Sequence, residues 1–172
     1  PMGLFCLQYA KANGGTVLLA GTGKDARRLE LGRLLGADHI LAGPDLEPRL
    51  RDLTGGAGVD VVLECSGAEP AAQLGLSALK RRGQYTQVGI FGAPIRFDLD
   101  RVLYREIRLT GSFSQKFIGW RQALALCAQG KIQVAPLITH RFDLADWETA
   151  FATFARGEAI KVMFALGGQP AG

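Results

Sequence analysis

Apolar positions along this chain follow two alternating patterns, and the alternation marks out its elements. Thr16-Val17-Leu18-Leu19-Ala20 and Val59-Asp60-Val61-Val62-Leu63-Glu64 are short, aliphatic runs of the kind that form strands inside a sheet. Asp38 to Leu41, Gln84 to Val88 and Glu106 to Thr110 read the same way. Longer runs lie between them, with apolar residues returning every three or four positions as on a helix with one buried face. Gly3 to Lys11 is such a run, stopped by Asn13-Gly14-Gly15. Asp25 to Leu35 sets Leu31, Leu34 and Leu35 on one face, with Gly36 as terminator. Asp45 to Leu53 predicts a short charged helix closed by Thr54-Gly55-Gly56. Glu69 to Leu79 predicts another, with Pro70 suited to its first turn.

Strands separated by helical runs imply βαβ units, hence a parallel sheet with helices on both faces. The Val17, Val61 and Tyr85 segments are therefore expected to lie parallel in one sheet. After Ser114 the rhythm changes. A helix is predicted over Trp120 to Ala128, an extended run over Leu137 to Phe142, a helix over Trp147 to Phe154 and a strand over Ile160 to Phe164. This section departs from the βαβ pattern and is expected to pack elsewhere, with Trp120, Trp147 and Phe151 as packing residues.

Composition narrows the class. A chain of 172 residues, 48% hydrophobic and 21% charged, can build a sizeable core and is not disordered. The net charge of +4 is scattered apart from clusters such as Lys80-Arg81-Arg82, without the basic stripe and interleaved aromatics of a nucleic-acid binder. Three cysteines, Cys6, Cys65 and Cys127, form no C-x-x-C pair, and there are two histidines. That argues against a metal site or a disulfide framework built within this chain, and for a reducing, cytoplasmic setting. No apolar run reaches membrane-spanning length. Pro1-Met2-Gly3 has no basic n-region and reads as a chain cut from something longer. His39 and His140 read as structural, since no triad can be built from them. A P-loop fails on spacing, because Gly23-Lys24 is followed by Asp25 and Leu18 stands where the first glycine belongs.

Several segments together resemble the coenzyme-binding half and C-terminus of a zinc-type medium-chain alcohol dehydrogenase, nearest the sorbitol and threonine dehydrogenases. Pro1-Met2-Gly3 resembles the end of that family's glycine-rich turn, and Leu34-Leu35-Gly36-Ala37-Asp38 its L-G-A-D. Gly58-Val59-Asp60 through Glu64-Cys65-Ser66-Gly67 resembles its G-x-D-x-x-x-E-C-[ST]-G. Arg82-Gly83-Gln84 to Gly89 resembles its next strand, and Pro136-Leu137-Ile138-Thr139-His140 its P-L-I-T-H. The matches run in family order over nearly the whole chain.

The resemblance implies a Rossmann-type, doubly wound parallel α/β sheet apparently lacking its first strand, with a C-terminal tail segment. Residues 1–114 would form a dinucleotide-binding domain incomplete at its N-terminus, and 115–172 a segment joining an absent catalytic domain. The first strand and two glycines of the turn would precede Pro1, and the family's zinc ligands are not in this chain. In the strand order 3-2-1-4-5-6 the missing strand is central. Either the flanking strands close up, or another chain or segment fills the gap. The resemblance implies hydride transfer between a small alcohol or polyol and NAD(P) in the parent protein, zinc in that parent, and no turnover from this chain alone.

It also implies site residues. Gly3 would pack the first helix closely, its N-terminal amides facing the pyrophosphate; a plain helix start is the alternative. Gly21 stands where an NAD site places an acid. Thr22, Lys24 and Arg28 are suited to a 2′-phosphate, which favours NADP. An NAD site tolerant of this loop, and an ordinary solvated loop with Asp25 as an early-turn acid, remain open. Glu64, Cys65, Ser66 and Gly67 would face the adenosine and ribose, with Cys65 a small hydrophobe rather than a nucleophile. Val88, Gly89 and Ile90, with Phe113 and Ser114, would run past the nicotinamide. Ile90 to Arg96 and Arg105 to Gly111 resemble the family's pairing edge, which implies a homodimer. A zinc-free quinone or enoyl reductase and a non-catalytic dinucleotide-binding module are the rival functions. An S-adenosylmethionine-dependent methyltransferase is disfavoured by Gly21.

Overall fold

The computed structural model describes residues 1–114 and 116–166. The chain runs α1 (Met2–Ala12), β1 (Leu18–Gly21), α2 (Ala26–Leu34), β2 (His39–Ala42), α3 (Leu46–Leu53), β3 (Val59–Glu64), α4 (Glu69–Ala78) and β4 (Leu79–Gln87). It continues with α5 (Leu99–Tyr104), β5 (Arg108–Gly111), α6 (Phe117–Ala128), β6 (Ile138–Asp143), α7 (Trp147–Ala155) and β7 (Lys161–Ala165).

Each strand pairing is parallel, as βαβ connections require. The strands do not form one sheet. Among the described residues β1 pairs with β2, β3 with β4 and β4 with β5, and β6 with β7, giving three separate sheets. The expectation that the Val17, Val61 and Tyr85 segments share a sheet is therefore corrected. The Val61 and Tyr85 segments do, while Val17 leads into β1, whose one partner is β2. The reason is topological. In the order 3-2-1-4-5-6 a central strand stands between the positions of β1 and β3. The flanking strands have not closed up across that place.

Two apolar clusters carry the packing. Ala72, Leu76, Leu79, Tyr85 and Ile107 form one, under α4 and the three-stranded sheet. The Tyr85 ring meets Phe97 edge-on with centroids 5.4 Å apart, and its hydroxyl donates to Oε1 of Gln87 at 2.9 Å. Leu4, Leu7, Leu35, Leu137 and Ile160 form the other, with Val17, Leu19 and Leu31 packed against it. This second cluster brings the tail onto α1. Gln8 of α1 is buried, and it donates to the Gln133 carbonyl at 3.1 Å and accepts from the Gln133 amide at 2.6 Å.

The tail departs from expectation in two ways. β6, α7 and β7 form a parallel βαβ unit of their own, and it packs against α1 rather than elsewhere. The helix α6 buries no residue, and Trp120 on it is exposed, so Trp120 is not a packing residue within the described chain. Trp147 and Phe151 contact each other edge-on at 6.3 Å, and Phe151 meets Phe164 at 6.4 Å, while both remain largely exposed. The helix α5 was not foreseen, being six residues and capped by the Asp98 carboxylate, which accepts from the Arg101 amide.

Leu76 is 1% exposed at the centre of the α4 cluster. Leu76→Ala is expected to cost about 2–5 kcal/mol of stability through lost burial and the cavity left behind. Urea unfolding of the variant against the parent chain measures it.

Candidate functional site

The C-terminal ends of β3, β4 and β5 are in register. Glu64 pairs with Gln87, and Gln87 with Gly111. The loops Cys65–Gly67, Val88–Ile90 and Ser112–Ser114 therefore leave the sheet at one edge, where open parallel sheets bind ligands.

Glu64 holds two of these loops together. It is 4% exposed, and a buried carboxylate is tolerated only when donors surround it. Its Oε1 accepts from the Ser66 amide at 2.7 Å and from the Ser66 hydroxyl. Its Oε2 accepts from the Gly67 amide at 3.0 Å and from Nε2 of Gln87 at 2.6 Å. Its backbone carbonyl accepts from the Val88 and Gly89 amides, each at 2.8 Å. Gln87 Nε2 also donates to the Gly89 carbonyl at 2.8 Å.

The two glycines of these loops are required by their contact. Gly67 has φ +67°, and a side chain there would strike the Ile90 carbonyl. A side chain at Gly89 would meet the Gly67 amide, and Oε2 of Glu64 at 2.8 Å. The start of α1 reaches the same edge, since a methyl group on Gly3 would lie 3.7 Å from Cβ of Cys65. Among the described residues that helix has no acid in its first turn and no side-chain cap, and the amides at a helix start suit an anion.

The loop after β1 is arranged differently. Helix α2 packs tightly on Gly21, where an added Cβ would lie 3.0 Å from Leu29 Cδ2 and 3.2 Å from Asp25 Cβ. The missing side chain at the strand end thus has a packing cause. Asp25 Oδ2 accepts from the Thr22 amide at 3.0 Å and its hydroxyl at 2.8 Å. Burial opposes ionisation of Asp25, but the Thr22 bonds and the Arg28 guanidinium outweigh it and hold the carboxyl below the usual carboxylate range. Arg28 lies 3.4 Å from Asp25 Oδ1 and donates to the Gly157 and Ala159 carbonyls, each at 3.1 Å. Lys24 is exposed.

A sequence profile described as zinc-binding dehydrogenase matches residues 1–129, three quarters of the chain. The chain belongs to the zinc-binding dehydrogenase family. A sorbitol dehydrogenase of Halalkalibacterium halodurans is 41% identical over 166 residues, which are 95% of this chain and 48% of that protein. A D-arabitol-phosphate dehydrogenase of Enterococcus avium is 40% identical over 166 residues, 95% of this chain and 47% of that one. A solved protein from Sinorhizobium meliloti 1021, assigned to the zinc-binding dehydrogenases and bound to NADP, superposes with a TM-score of 0.80 at 26% identity. That match covers 95% of this chain and 49% of the other. The chain thus spans about half the length of the curated relatives it matches.

In this zinc-binding dehydrogenase chain, Gly3, Cys65, Ser66, Gly67, Val88, Gly89 and Ile90 gather at one edge, with Phe113 and Ser114 following β5 beside them. Gly21, Thr22, Lys24 and Arg28 stand at the end of the β1–β2 sheet. Arg28 is turned to the tail carbonyls, an arrangement the sequence did not signal. His140 stacks on Phe142 at 6.2 Å with Nδ1 3.0 Å from the Thr139 hydroxyl. Among the described residues no three His, Cys, Asp or Glu side chains come together as metal ligands. These residues do not fit a zinc centre.

Gln87 was missed as a site residue, and Glu64 was missed as the brace of its own turn. The usable signal was an acid closing an apolar strand immediately before a small-residue turn. Glu64→Ala leaves the Ser66, Gly67 and Gln87 donors without their acceptor. It is expected to lower stability by about 3 kcal/mol, at the upper end for bonds to a charged group. Glu64→Gln should retain part of that, and denaturant melts of the two variants measure the difference.

Proposed function

We propose that this chain is the cofactor-binding part of a zinc-dependent dehydrogenase that transfers hydride between an alcohol or polyol and NAD(P). The observation that carries the reading is the convergence of the uncapped start of α1 with the Glu64-braced loops at Ser66–Gly67 and Val88–Ile90. An uncapped helix start beside glycine-tight loops suits a pyrophosphate and its riboses. The sorbitol and arabitol-phosphate dehydrogenases among its relatives point to polyols as the substrate class. The bound dinucleotide supplies the hydride acceptor. This chain's residues bind and orient it, and zinc ligation falls to residues outside those described. No observation favours the zinc-free reductase or the non-catalytic module over this reading. Three free thiols fit a reducing, cytoplasmic setting.

The full-length protein is expected to contain zinc and to reduce NAD(P) in the presence of a polyol such as sorbitol. Zinc analysis joined to a cofactor-reduction assay tests this, and a zinc-loaded protein inert toward every alcohol and polyol tried would overturn it.

Within that reading the cofactor is NADP. No acid occupies the end of β1, and the nearest one, Asp25, has its oxygens engaged by Thr22 and Arg28. Lys24 and the Thr22 edge of the loop are the groups placed to meet a 2′-phosphate, while Arg28 is drawn away by the tail. Lys24→Ala is expected to weaken NADPH binding about tenfold, the worth of one charge-assisted bond, and to leave NADH binding unchanged. Equilibrium titrations of both cofactors decide it, and tighter binding of NADH by the parent protein would reverse the assignment.

The chain pairs with a second copy through β5, whose four residues are all exposed and whose outer edge pairs with no strand among the described residues. Leu109 on β5 and Leu103 and Tyr104 on α5 are exposed. Light scattering is expected to give a homodimer, and a monomer at high concentration would reject this pairing.

A further inference from the structure

Cys6 on α1 and Cys65 at the end of β3 face each other where helix and strand meet. The Cys65 thiol donates to Sγ of Cys6 with the sulfurs 3.6 Å apart. Both are free and half-buried. The approach is built into the backbone. Gly3 lies one helical turn before Cys6 on the same face, and a methyl group on Gly3 would already touch the Cys65 β-carbon at 3.7 Å. A disulfide needs sulfurs at about 2.05 Å, so closure draws the two thiols together from 3.6 Å. The third cysteine, Cys127, lies on α6.

We propose that Cys6 and Cys65 are a redox-active dithiol, a modification site at which low-molecular-mass disulfides close an intramolecular bond. The roles of the two thiols differ. The hydrogen bond from Cys65 holds the Cys6 thiol down to about 7 against the effect of burial, so Cys6 is the nucleophile at neutral pH. The same bond, burial and the neighbouring Glu64 push Cys65 up. The Cys6 thiolate attacks one sulfur of the small disulfide, breaks its S–S bond and releases one thiolate, leaving a mixed disulfide on Cys6. Cys65 then gives its proton to solvent and attacks Sγ of Cys6, expelling the second thiolate. Both leaving thiolates take up protons. Two cysteine thiols are oxidised, and one small disulfide is reduced to two thiols. The bond ties α1 to the Cys65-Ser66-Gly67 turn, and its formation does not depend on which cofactor that turn meets.

The test uses oxidised glutathione on the full chain, followed by acid quench, intact mass and non-reducing peptide mapping. The expected product is lighter by two hydrogens, has free thiols reduced from three to one, and joins the Cys6 and Cys65 peptides. Cys127→Ser closes the same bond. Cys6→Ser and Cys65→Ser carry at most a glutathione adduct. Should either of these fail to fold, the parent chain and Cys127→Ser still decide the matter. Persistence of all three thiols, a stable adduct on Cys6 without closure, or a link to Cys127 would overturn the proposal.

Discussion

Burial of one face of α1 is the constraint on which the rest of this structure depends. Among the described residues the three parallel sheets share no strand pairing, so backbone hydrogen bonding does not make them one body. Leu4 and Leu7 join two of them, by packing at once against Leu35 after α2, Leu137 before β6 and Ile160 before β7, and α1 meets the third where Gly3 approaches Cys65 after β3. Three fully buried leucine or isoleucine side chains in this cluster are each worth about 1.5–3 kcal/mol of transfer free energy, against a domain stability of the same order as their sum. Apolar packing of this kind is non-directional. The direction comes from polar ties at its margin, where Gln8 reads both backbone groups of Gln133 and Lys11 meets Asp38 at 2.9 Å.

The candidate site is the counterpart of this arrangement at the sheet edge. A parallel strand ends with its amides and carbonyls spent unevenly, and the loops beyond must be anchored by something else. Here the anchor is a single carboxylate. Glu64 gathers donors from its own turn and from the next strand, so the spacing between two loops is set by hydrogen bonds of fixed length rather than by loop sequence. The glycines follow as a consequence. Loops drawn this close leave no room for a Cβ at Gly67 or Gly89.

Local patterning carried most of the elements. The bounds of β3 were read directly, because Val59 to Glu64 is aliphatic, short and flanked by glycines. Helix α5 escaped because six residues give too little periodicity to detect. The βαβ unit of the tail escaped because β6 and β7 are amphipathic rather than uniformly apolar, and so resemble isolated extended runs. The division into separate sheets lay beyond local reading, since pairing is a long-range property. Among site residues, the glycine-rich turns were legible as turns. Glu64 was not legible as their brace, because a charge at a strand end more often faces solvent. The fate of Arg28 could not be read at all, as its partners lie 129 and 131 residues away.

That long-range contact bears on which base of the loop is open to an anion. Arg28 joins the loop after β1 to carbonyls that precede β7, and Asp25 joins the same guanidinium to Thr22. An anion that recruited Arg28 would therefore have to displace two backbone carbonyls, each of which would need a new donor. An anion met by Lys24 displaces nothing of the kind. Arg28 thus fixes the tail, whose two acceptors suit a planar fork, while Lys24 is exposed on the same loop. Exchanging the two residues would fail in both places, because a lysine cannot serve two carbonyls with the geometry of a guanidinium, and an arginine in the loop would compete for Asp25.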